Sequence, residues 1–141
     1  MSEFHQAMRG KFVSLLNWDQ LSEFWQTVRN QADRDWYIYA ISDPPPDTPH
    51  RADEIHRFID EIDVLLRKEH EEDYCGIVYT DDKAEPHIVK IYDPNNLGVV
   101  CGYSDNPPPP GWILSRIKPE TLEHNELIPA NRRRWWQRLW A

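Results

Sequence analysis

A long amphipathic segment, from about Ala52 to Glu69, constrains the fold of this chain more than any other feature. Ile55, Phe58, Ile59, Ile62, Leu65 and Leu66 recur at helical spacing and form one continuous apolar stripe. Asp53, Glu54, Arg57, Asp60, Glu61, Arg67 and Lys68 fill the other positions, acids leading and bases trailing, which complements the helix dipole. A stripe of this width needs another layer to cover it.

The flanking segments supply that layer. Trp36-Tyr37-Ile38-Tyr39-Ala40-Ile41 is aromatic, β-branched and apolar on both alternating faces, which suits an interior strand. Asp43-Pro44-Pro45-Pro46-Asp47-Thr48-Pro49 then makes a stiff surface connection, because proline removes donors from both helix and ladder. Beyond the helix, Tyr74–Thr80 and His87–Tyr92 read as strands around the polar turn 81–86. Leu97–Tyr103 and Trp112–Ile117 are weaker strands, separated by a polyproline loop at Pro107–Pro110. Near the N-terminus Phe4, Met8, Phe12, Leu15 and Leu16 follow a helical period across Gly10. Asn17 or Asp19 caps a second helix carrying Leu21, Phe24, Trp25 and Val28.

Strand, helix, strand is a βαβ unit, for which a right-handed crossover and parallel strands are expected, with the hairpin adding an antiparallel strand. The expected fold is α+β, or a two-layer α/β sandwich. It has a small mixed sheet of four to five strands, N-terminal helices and the long helix of about 52–69. At 141 residues one domain is expected, covering 1–130, followed by a basic-aromatic segment, 131–141.

Charge narrows the partners. The net charge is −8, yet the last ten residues hold Arg132, Arg133, Arg134 and Arg138 and no acid; the remainder has 12 basic against 24 acidic residues. Such a body repels phosphate backbones and anionic lipid, so nucleic-acid and membrane binding are disfavoured. The N-terminus shows no signal-peptide h-region and no run is long enough to span a membrane, so reduced thiols in the cytoplasm are expected.

Both cysteines precede a glycine, at Cys75-Gly76 and Cys101-Gly102. Three readings are open: buried structural thiols, a metal site completed by His70, His87 or Asp93, or a reactive thiol assisted by His87 and Asp93. The cysteines are single and far apart, unlike the clustered pairs of zinc sites. No catalytic or cofactor signature appears, and no cofactor is expected. Asp93-Pro94-Asn95-Asn96 is a well-specified turn that could present Asn95 and Asn96 to a partner. In the C-terminal segment a helix capped by Asn131 places Trp135, Trp136, Leu139 and Trp140 on one side. Arg133, Arg134, Gln137 and Arg138 fall on the other. It either docks on the acidic body, engages another chain or lies in a membrane interface. The functional expectation is a non-enzymatic, regulatory or accessory module acting through a protein partner. The alternatives are a thiol-dependent enzyme or redox sensor using Cys75 or Cys101, and a metal-binding protein using those thiols with His70 or His87.

Overall fold

The computed structural model describes residues 2–70, 75–94, 110–122 and 130–140. These form an α+β fold of four helices and a five-stranded sheet. In chain order the elements are α1 (Glu3–Met8), β1 (Val13–Ser14), α2 (Trp18–Arg29), β2 (Tyr37–Ala40), α3 (Ala52–Glu69), β3 (Val78–Thr80), β4 (Ile88–Ile91), β5 (Trp112–Ser115) and α4 (Ala130–Leu139).

Local chemistry accounts for the helix starts. Ser2 Oγ accepts the His5 N–H at 3.1 Å, and Asn17 Oδ1 accepts the Gln20 N–H at 2.8 Å. At α3 the Glu54 carboxylate reaches back to the Arg51 N–H at 2.9 Å. The first helix stops at Met8, short of the expected 4–16, because Gly10 lies where the chain turns into β1. Val13 and Ser14 then pair with Thr80 and Tyr79 of β3.

The sheet order is β1-β3-β4-β5-β2, and every neighbouring pair is antiparallel. This corrects the expected βαβ unit and mixed sheet. β2 and β3 flank α3 in sequence but are not neighbours. Trp112–Ser115 inserts beside β2, with Ile38 opposite Leu114 and Ala40 opposite Trp112. A strand arriving from later in the chain thus takes the place assigned to the parallel partner. Among the described residues β2 is accordingly an edge strand, not an interior one. Its sequence is apolar on both faces because both faces are covered.

One face carries Ile38, Ala40, Val78, Val89, Ile91, Trp112 and Leu114, packed with the α2 and α3 stripes. The other carries Tyr39, Ile41, Ile88 and Ile113 beneath Phe4, with Met8 and Phe12 alongside. Lys90 lies on this second face, its Nζ donating to the Met8 carbonyl at 2.8 Å and resting 3.7 Å from the Phe12 ring centroid. Burial pulls its pKa down. The β3–β4 hairpin is as expected. Asp81 clasps its turn, accepting the His87 and Ile88 N–H groups at 2.9 and 3.1 Å. The strand expected at Leu97–Tyr103 lies outside the described residues.

Candidate functional site

Helix α4 begins at Ala130, one residue before the expected cap at Asn131, and lies against α3. Leu139 and Arg132 are its buried residues, while Arg133, Arg134, Gln137 and Arg138 are exposed. The tryptophans form a connected aromatic row on the inner side. Trp135 meets Trp112 of β5 edge-on, with ring centroids 5.5 Å apart. Trp136 meets Phe58 at 6.3 Å and Trp140 at 5.4 Å, and its indole N–H donates to Asp43. Trp140 lies 5.6 Å from His50. Arg57 of α3 donates to the Leu139 carbonyl at 3.3 Å, which satisfies one of the last carbonyls of the helix.

Arg132 anchors the start of the helix. It is 5% exposed and grips Asp93 through Nε and an Nη at 2.8 and 3.0 Å, with Glu69 as a second carboxylate partner. Burial alone would lower its pKa, but hydrogen bonds and charge from Asp93 and Glu69 outweigh burial and raise it. The guanidinium fork suits this two-point grip, which a lysine could not reproduce.

Between α4, β2 and the start of α3 lies a cleft of about 480 Å³, within the usual size of small-ligand sites. Ile38 and Ala40 line it, together with Pro44, His50, Trp136 and Trp140, and Asp43, Arg51, Glu54 and Arg57 stand around it. His50 closes part of the β2 edge. Its backbone N–H donates to the Trp36 carbonyl at 2.7 Å, and its Nδ1 accepts the Ile38 N–H at 3.1 Å. Nδ1 therefore carries a lone pair, and the proton of the neutral ring resides on Nε2. Burial lowers the His50 pKa, opposed in part by Glu54, and so favours this neutral form.

Among the described residues His70 meets the Cys75 backbone, while His87 and Asp93 are held by other partners. Cys75 is fully buried, and burial raises its thiol pKa against weaker pulls from the Ile77 and Val78 N–H groups. Gly76 beside it adopts φ 67°, a left-handed conformation that favours glycine and explains the Cys-Gly pair here. His70 is buried and donates from Nε2 to the Cys75 carbonyl at 2.9 Å, holding the backbone at the end of α3. His87 lies on Asp81 at 3.0 Å, in the hairpin turn. Asp93 holds Arg132. No group of three His, Cys, Asp or Glu side chains gathers among the described residues. Cys101, Asn95 and Asn96 lie outside them. Native Cys75 is expected to resist thiol labelling and to react only once denaturant opens the core; fast labelling of folded protein would contradict its burial.

Sequence reasoning missed the roles of Arg132 and His50; Glu69, which opens the acidic run Glu69–Asp73, reads in sequence as a cation patch or a solvated helix end, and in the structure it pairs with Arg132. Arg132 stands first in a run of three identical arginines, and only its helical phase, three residues before Trp135, separates it from the exposed pair. Among the described residues no helix is long and apolar enough to cross a membrane. No family model matches the chain, and neither the curated proteins nor the solved structures contain a significant match.

Proposed function

We propose that this chain is a non-enzymatic regulatory or accessory module of the cytoplasm that works through a protein partner, using the outer face of α4. One observation carries the reading. Arg133, Arg134 and Arg138 project from a helix whose tryptophans are turned inward, and among the described residues none of the three has an ion-pair partner. On a protein of net charge −8 they make a local patch of the opposite sign. Free arginines on a firmly seated helix lose little conformational freedom of the backbone on binding, and they steer an acidic surface into register. Trp135, Trp136 and Trp140 serve this role by fixing the helix, with Arg132 locking its first turn.

Cross-linking in the native host identifies the partner, and binding is then compared between the parent chain and Arg133→Glu/Arg134→Glu/Arg138→Glu. The triple variant is expected to bind at least tenfold more weakly, with a lower association rate and a flatter salt dependence. Its stability should shift by no more than about 0.5 kcal/mol per site, because the side chains are exposed. Unchanged binding by a folded triple variant would reject this face as the interface.

A further inference from the structure

Within β2 (Tyr37–Ala40) the outer edge leaves one backbone donor and one backbone acceptor without a partner among the described residues. In an antiparallel pair, alternate residues turn N–H and C=O toward the partner and away from it. The Ile41 N–H donates to the Gly111 carbonyl at 3.1 Å, so the odd-numbered residues of β2 face β5. Trp36, Ile38 and Ala40 face outward. The Trp36 carbonyl and the Ile38 N–H are taken by His50, and the Ala40 carbonyl accepts the Asp43 N–H at 3.0 Å. The Ile38 carbonyl and the Ala40 N–H remain, with no protein partner among the described residues. Both residues are nearly inaccessible, at 2% and 3% exposure, and both line the cleft beneath Trp136 and Trp140. Buried backbone groups are almost always paired, so these two groups offer a ligand hydrogen bonds that the described residues leave unmade.

We propose that this cleft binds a small, uncharged, planar nitrogen heterocycle or aromatic carboxamide whose edge presents an acceptor to the Ala40 N–H and a donor to the Ile38 carbonyl. Three features select this class. First, the edge cannot accept a strand of ordinary length, since His50 blocks it on one side and the Ala40–Asp43 turn on the other; a single donor–acceptor pair is left. Second, the walls contributed by Trp136, Trp140 and His50 are aromatic, and flat rings pack on them with little loss of ligand freedom. Third, Asp43 and Glu54 balance Arg51 and Arg57 around the cleft, so no net charge calls for an ionic ligand. The proposal stands apart from the arginine face. It adds that a ligand held between β2 and the α4 tryptophans clamps that helix onto the body.

The test uses the full chain, labelled with ¹⁵N, and three probes that carry the required edge: 9-methyladenine, uracil and nicotinamide. N6,N6,9-Trimethyladenine, which keeps the ring but has no N–H donor, is the control. At least one probe is expected to give a saturable downfield shift of the Ala40 amide proton, and 9-methyladenine, if it is the binder, should outperform its N6,N6-dimethyl form at least tenfold. Trp140→Leu should weaken binding of the successful probe by about tenfold. The probe comparisons use unmutated protein and so do not depend on how that variant folds. The proposal is overturned if no probe shifts Ala40, which would mean that water alone satisfies the edge. It is equally overturned if 9-methyladenine binds and its N6,N6-dimethyl form binds as well, since the ring would then rest on tryptophan without using the strand.

Discussion

Arg132→Ala is expected to destabilise the protein by about 3–5 kcal/mol, because it removes the buried cation that grips Asp93 at two points and also pairs with Glu69. Asp93 is 8% exposed and takes both prongs of the guanidinium, and Glu69 meets the same group from the end of α3. Removing the cation leaves a desolvated anion without its bidentate partner. It also releases the first turn of a ten-residue helix, which is too short to persist alone. Urea unfolding measures the loss, and tryptophan fluorescence should change with it, since Trp135, Trp136 and Trp140 depend on the same docking. Arg132→Lys keeps the charge but not the planar fork, so an intermediate loss is expected. If Arg132→Ala unfolds at the parent midpoint, the ion triad does not secure α4. The loss is a large share of the 5–15 kcal/mol that typically separates folded from unfolded chains.

Leu66→Ala is expected to cost about 2–5 kcal/mol, through lost transfer free energy and a cavity that neighbouring side chains only partly fill. Leu66 is fully buried in the same cluster as Ile59, Ile38 and Val78, so the void would open between α3 and the sheet. Val64, on the same helix and 61% exposed, is the matched control. Val64→Ala should change stability by no more than about 0.5 kcal/mol. Equal midpoints for the two variants would mean that α3 does not pack on the sheet through this stripe. The pair separates packing from helix propensity, which favours alanine at either position.

The stripe of α3 was readable because helical periodicity is a local property. Ile55, Phe58, Ile59, Ile62, Leu65 and Leu66 are the residues buried along it. The β3–β4 hairpin was readable for the same reason: its turn residues and both strands are close in sequence. The strand order was not. An apolar strand records that both of its faces are covered, but not which strand lies beside it. Trp36–Ile41 therefore looked interior and parallel to β3, whereas it is an antiparallel edge closed by His50. The capping of that edge depends on a histidine placed by a proline-rich loop, and no local pattern announces it.

The α+β class, the wide stripe of the long helix and a C-terminal segment with tryptophans on one side and Arg133, Arg134 and Arg138 on the other were legible before any tertiary contact was known. These follow from periodicity and composition over a few turns of chain. Only the assembled layers show that β5 inserts beside β2, that Arg132 and not its neighbours is buried against Asp93 and Glu69, and that His50 closes part of the β2 edge. Each of these joins segments far apart in the chain: 39 positions separate Arg132 from Asp93, and 12 separate Ile38 from His50. Such pairings are selected by the combined burial of many side chains and by the need to satisfy every buried polar group. Neither quantity exists until the layers have come together.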